Sequence, residues 1–211
     1  MEIHPVTPDR LTDLADLFDS IKQPILSRLE KELDPRLGYH NLAHTLDVLE
    51  QSQTIARQEG IHDEHKLLLL KTAALFHDSG FLFVYKGHEE KGCEIVSEDL
   101  KDVFSEKDLQ TICGMIMATK IPQSPNNLLE QIICDADLDY LGRKDFEPIS
   151  RNLYKEFITF KIIPDNIVWD HIQIKFFESH RYFTKTAIEK RDKVKLKHLA
   201  ILKERSNWNN E

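Results

Sequence analysis

The sequence predicts an all-α protein, and three observations carry that expectation. Only seven glycines occur in 211 residues. Few segments alternate apolar and polar residues with period two, and most of the chain repeats its apolar residues at helical spacing. The elements follow in order. Thr7 and Pro8 read as an N-cap and a first-turn proline, opening a helix that runs to about Lys31. The stretch "DPRLG", 34–38, breaks it. A second helix carries "NLAHTLDVLEQSQTIARQ", 41–58, and stops at Gly60. A third carries "HKLLLLKTAALFHD", 65–78, and stops near Ser79 and Gly80. Its apolar residues lie all round, which predicts a central buried helix.

"HEEKGCEIVSEDL", 88–100, reads as a fourth helix. Ser105 with Asp108 resembles a capping box for a fifth, 106–120. The loop "IPQSPNN" follows, and "LLEQIICDADLDYLG" reads as a sixth helix, 128–142, closed by Gly142. The last sixty or so residues read as two or three more helices, the longest over 164–191. No repeat, low-complexity stretch or linker interrupts the chain. The expected organisation is one domain over 1–211, with a core at about 38–150 and flanking helices at 8–33 and 150–205.

The chain is 41% hydrophobic and 30% charged, with a net charge of −8. That acidity argues against a dedicated nucleic-acid surface or a membrane-surface binder, which would carry a basic stripe. It remains compatible with a small anionic substrate held by a metal ion. Cys93, Cys113 and Cys134 are odd in number and form no CxxC pair, so neither a disulfide framework nor a zinc knuckle is expected. Their apolar helical contexts fit buried thiols in a reducing compartment. The start "MEIHPVTPDR" has no apolar run and no cleavage signal, and "LLLLKTAALF" is too short to span a bilayer. The expectation is a cytoplasmic protein without a membrane partner.

One set of polar residues stands out. "YHNLAH" places His40 and His44 at i and i+4, on one face if the helix begins at His40 or Asn41. His77 and Asp78 end the buried third helix. Ionisable groups in that position are costly unless something compensates them, and a divalent cation does. In "IICDADLDYLG", Asp135, Asp137 and Asp139 cannot all face inward. Asp137 shares a face with Ile133, Tyr140 and Leu141, whereas Asp135 shares one with Gln131 and Asp139. A carboxylate on the apolar stripe needs a partner, so Asp137 is the better ligand. Two imidazoles and two carboxylates suit a borderline divalent ion. Taken singly, a helical histidine or an "HD" dipeptide is more often structural.

"YHNLAH", "ALFHD" and "DADLDYLG" together resemble the HD-domain metal-dependent phosphohydrolase superfamily over about residues 38–145. "YHN" with a second His three residues on is also similar to class I cyclic nucleotide phosphodiesterases, and "FFESHRYFT" resembles a motif of small bacterial HD proteins. The resemblance implies a single HD-domain, phosphodiesterase-like helical bundle with terminal helices packed on the core. It implies metal ligands at His44, His77, Asp78 and Asp137. It makes His40 the histidine that protonates the leaving group, and His88, in "GHEEKG", the extra histidine beside the metal. No histidine lies between Glu89 and Asp170, where dinuclear HD proteins usually supply one. That departure speaks for one ion rather than two.

The implied chemistry is hydrolysis of a phosphomonoester or phosphodiester, with a nucleotide among the candidates. The ion is manganese, iron, cobalt, nickel, zinc or magnesium. Asp78 also orients the attacking water, and His40 or His88 serves as general acid. Lys86, Lys91 and Arg143 lie close in sequence to the motifs and are candidate phosphate contacts, although each also reads as a surface charge. His180 and Arg181 could lie over the pocket. Cys113, Met115 and Met117 read as core packing. The rival readings are a metal-holding regulatory module with little turnover and a purely structural helical protein. The expected partner is a small phosphorylated molecule; a homo-oligomer stays open.

Overall fold

Helical spacing becomes nine α-helices and two short 3-10 turns among the described residues, 8–164 and 168–208 of a computed structural model. The helices are α1 (Pro8–Glu32), α2 (Leu42–Gln58), α3 (Glu64–Phe76), α4 (His88–Asp99), α5 (Glu106–Thr119), α6 (Leu128–Asp137), α7 (Phe146–Thr159), α8 (Trp169–Ser179) and α9 (Lys185–Trp208). The 3-10 turns are Ser79–Leu82 and Asp139–Gly142. No strand occurs among the described residues, and no helix there is long and apolar enough to cross a membrane. Thr7, the expected cap of α1, lies outside the described residues.

Capping side chains set the helix starts, because each satisfies a backbone N–H that has no partner within the helix. Asn41 accepts from the N–H groups of Ala43 and His44. Asp63 accepts from Lys66, Ser105 from Asp108, and Asn127 from Glu130. Ser105 is the expected cap of α5.

α3 is buried on every side, from Leu68 through Phe76 at all but one position. It packs against α1, α2, α5 and α6, and with residues of α4 these helices form the larger apolar core. A second apolar cluster joins Tyr39, Leu138, Tyr140, Leu141, Phe146, Phe177 and Leu202. The two clusters meet where the polar motifs stand. His77 follows Phe76 of the first cluster, and Asp137 stands between Ala136 of the first and Leu138 of the second.

Three expectations are corrected. The sixth helix ends at Asp137 rather than at Gly142, and Asp139–Gly142 tightens into a 3-10 turn. The long helix over 164–191 is two helices, α8 and α9, with 180–184 non-helical. The cause of that break also corrects the third point. Asp135 does not look outward: it is fully buried. Its carboxylate accepts from the N–H of Phe183 at 2.9 Å and from the N–H and hydroxyl of Thr184, both at 2.7 Å. Those bonds draw the backbone amides of 183 and 184 to α6. Thr184 Oγ1 in turn accepts from the N–H of Ala187, starting α9.

Candidate metal centre

The end of α3 and the start of α2 bring two imidazoles together. Asn41 caps α2 and places His44 in its first turn. His77 follows the last residue of α3, and its Nδ1 lies 2.9 Å from the carbonyl of Ala74. A carbonyl only accepts, so Nδ1 carries the proton, and the Nε2 of neutral His77 presents a lone pair. That Nε2 lies 3.3 Å from Nε2 of His44. Asp137, the last residue of α6, puts Oδ1 at 3.1 Å from His44 Nε2 and 3.8 Å from His77 Nε2. The ligand atoms of His44, His77 and Asp137 all lie within 4.8 Å of one another, as a metal-binding group requires.

Asp78 supplies the test of fit. Its Oδ2 lies 3.2 Å from His77 Nε2 and 3.4 Å from His44 Nε2. Even so, this buried oxygen has no hydrogen-bond partner. A buried carboxylate oxygen without a proton donor is expensive unless a cation meets it. Burial opposes protonation of His77, but Asp78 and Asp137 outweigh it and hold the pKa up to about 9. Burial likewise opposes ionisation of Asp78, yet the neighbouring imidazoles hold its carboxyl far below the usual range. In both cases negative charge is concentrated where a positive partner fits. Two imidazole nitrogens and two carboxylates suit a divalent transition ion or magnesium.

His40 is positioned differently from expectation. It precedes the cap Asn41, so it does not share a helical face with His44. Glu156, on α7, holds it instead. The Glu156 side chain is 0% exposed. Its Oε2 accepts from the N–H of Tyr39 at 2.7 Å and of His40 at 3.1 Å. Its Oε1 accepts from the Tyr85 hydroxyl at 2.8 Å and pairs with Nδ1 of His40. That contact leaves Nε2 of His40 as the second titrating nitrogen. Burial opposes the charged imidazole, but the bond to Glu156 and the nearby Asp78 outweigh it, and the pKa of His40 is raised. Sequence reading missed Glu156. A signal was present, since Glu156 falls on the stripe of Phe146, Ile149 and Leu153 along α7, the criterion already applied to Asp137.

His88 opens α4. Its Nδ1 lies 3.1 Å from the carbonyl of Tyr85, and its Nε2 is 3.5 Å from both Asp78 Oδ1 and the buried Glu89 Oε1. The rings of His40 and His88 both stack on Phe81, with centroids 4.3 and 4.0 Å away. Gly80 makes this packing feasible, because a Cβ there would stand 2.0 Å from the carbonyl oxygen of His88. Phe81 and Glu89 were not singled out in the sequence.

The expected phosphate contacts Lys86, Lys91 and Arg143 do not line the cavity that holds His40, Asp78, His88 and Asp137, although Arg143 lines a neighbouring one of about 220 Å³ with His44. Arg143 donates to Asp47 at 2.7 and 2.8 Å and to Asp145 at 2.7 and 2.9 Å, forming a carboxylate network. Lys91 pairs with Glu94 and lies over the Phe83 ring. Lys86 is exposed. Arg181 is exposed and lies over Phe183. His180, with two buried nitrogens lacking hydrogen-bond partners, lines a separate cavity of about 120 Å³ with Gln123. His40, Asp78, His88, Glu89 and Asp137 all line a larger cavity of about 280 Å³.

The HD domain family model matches residues 41–139. That span contains His44, His77, Asp78, His88 and Asp137 and excludes His40 and Glu156. A crystal structure of a protein from Lactobacillus plantarum is similar in fold at a TM-score of 0.59 and 17% identity, covering 98% of this chain and 100% of that one. No curated protein matches the chain.

Proposed function

With residues 41–139 forming an HD domain, this chain belongs to the HD-domain superfamily, and on that premise we propose that it hydrolyses a phosphomonoester or phosphodiester with the help of a divalent metal ion. One observation carries the reading. An unpartnered, buried Asp78 oxygen faces the imidazoles of His44 and His77, on a cavity that also exposes the carboxylate-held His40.

His44, His77, Asp78 and Asp137 hold the ion, which is manganese, iron, cobalt, nickel, zinc or magnesium. When bound, such an ion polarises a phosphoryl oxygen and acidifies water. Asp78 turns Oδ2 to the histidine ligands and Oδ1 towards His88, so it both binds the ion and orients the attacking water. His40 gives a proton from Nε2 to the leaving oxygen, while Glu156 fixes the ring and favours its protonated form. His88 is the alternative acid on the same cavity. Lys86, Lys91 and Arg143 stand outside this cavity's lining, so the ion and the imidazoles meet the phosphate charge.

The test is metal analysis of protein purified without chelator, followed by a panel of phosphomonoesters and phosphodiesters with and without manganese. Bound metal together with metal-dependent turnover is expected. Metal without turnover of any ester would favour a regulatory HD module. Failure to bind any divalent ion would end the reading.

A further inference from the structure

The 280 Å³ cavity is walled mainly by hydrocarbon. α7 and α8 supply Phe146, Leu153, Phe157, Ile172, Phe176 and Phe177. Three features narrow what fits there.

The first is charge. No lysine or arginine lines the cavity among the described residues, and Asp78, Glu89 and Asp137 do. One phosphate group is served by the metal centre. A second or third would meet carboxylates without a counter-charge.

The second is hydrogen bonding. The polar groups facing the hydrocarbon are turned onto one another. Trp169 Nε1 donates to Ser150 Oγ at 3.0 Å, and Ser150 Oγ donates to Gln173 Oε1. Gln173 Nε2 donates to Asp170 at 3.2 Å, and Thr119 Oγ1 donates to the carbonyl of Ile116 at 2.7 Å. A ligand rich in polar edges would lose water there and gain few bonds in return.

The third is wetting. Phe146 and Phe177 are buried, but Leu153, Phe157, Ile172 and Phe176 are only half-buried. Apolar surface thus stays in contact with solvent beside the reactive groups, and covering it is favourable.

We propose, resting on the phosphohydrolase reading above, that the substrate is the monophosphate ester of an apolar alcohol whose hydrocarbon part fills the chamber between α7 and α8. Water forms the new bond to phosphorus as the bond to the alcohol oxygen breaks. His40 gives that oxygen its proton, and the proton released by the water restores His40. The products are the free alcohol and inorganic phosphate.

The test uses three homologous series on one protein: n-alkyl phosphates for turnover by the manganese-loaded form, non-hydrolysable n-alkyl phosphonates for its binding, and n-alcohols for binding to the metal-free form. AMP and ADP are the polar comparison. Affinity and kcat/KM should rise about fourfold per methylene until the chamber is full. Leu153→Trp and Ile172→Trp, each checked for a native melting transition, should flatten that rise. No dependence on chain length, or AMP hydrolysed as well as the octyl ester, overturns the proposal. No turnover of any phosphate ester, with chain-length-dependent binding of alcohols intact, refutes the phosphohydrolase reading and leaves the apolar chamber standing.

Discussion

Replacing Glu156 with glutamine keeps its shape and removes its charge. The buried carboxylate accepts from two backbone N–H groups, the Tyr85 hydroxyl and His40. An amide oxygen can keep the two backbone donors, and its NH₂ group then faces Tyr85 and His40. Tyr85 can rotate its hydroxyl to accept. His40 must present an unprotonated Nδ1, which disfavours its charged form. A hydrogen bond to a charged group contributes about 1.5–3 kcal/mol. At about 1.4 kcal/mol per pKa unit, the pKa of His40 should fall by about 1–2 units.

The assay is the pH dependence of kcat/KM for a phosphomonoester with a poor leaving group. A general acid must be protonated, so activity falls as pH rises through its pKa. Glu156→Gln should therefore move the alkaline limb down by about 1–2 units. An unmoved limb with a uniform loss of rate would refute the acid role of His40. Stability gives a second readout with a definite sign. His40 has a raised folded pKa, so its contribution is complete below the ordinary imidazole value of 6.5 and is lost as pH rises through the folded value. Glu156 has a lowered folded pKa, so its contribution is complete above 4.5 and is lost as pH falls through the folded value. The melting-temperature gap between wild type and Glu156→Gln should be widest between pH 4.5 and 6.5.

The remaining predictions concern the metal and the residues around it. His77→Ala and Asp78→Ala should each lose stoichiometric metal, read by elemental analysis. EDTA should lower the melting temperature of wild type, since an ion at a hundred times its Kd stabilises by about 2.7 kcal/mol. Asp137→Asn should weaken metal binding by about tenfold or more. Asp135→Asn should instead cost about 1–3 kcal/mol in denaturant melts, because its bonds tie 183 and 184 to α6. The reverse ranking of these two variants would contradict the placement of both side chains. Arg143→Met should lower stability while leaving kcat/KM within about twofold, since its guanidinium is engaged by Asp47 and Asp145. A large loss of turnover at unchanged stability would return Arg143 to the substrate.

The sequence by itself determined the helical class, because the period of its apolar residues is a local property of the chain. It also marked His77, Asp78 and Asp137, because ionisable groups at the end of a buried helix or on an apolar stripe are costly wherever those elements pack, while His44 rested on the resemblance of "YHNLAH" to the HD-domain superfamily. The buried character of α3 was legible for the same reason. Tertiary structure decided the rest. No local signal shows that the carboxylate oxygen of Asp78 lacks a donor, since that depends on which helices converge on it. The break between α8 and α9 was hidden because local spacing there still suits a helix, while the carboxylate that claims the amides of Phe183 and Thr184 lies 48 and 49 residues away. Glu156 meets His40 across 116 residues. Arg143 is near the motifs in sequence and lines a cavity with His44, but Asp47 and Asp145 engage its guanidinium. That pairing joins Arg143 to Asp47 on α2 across 96 residues, which only the folded chain brings about.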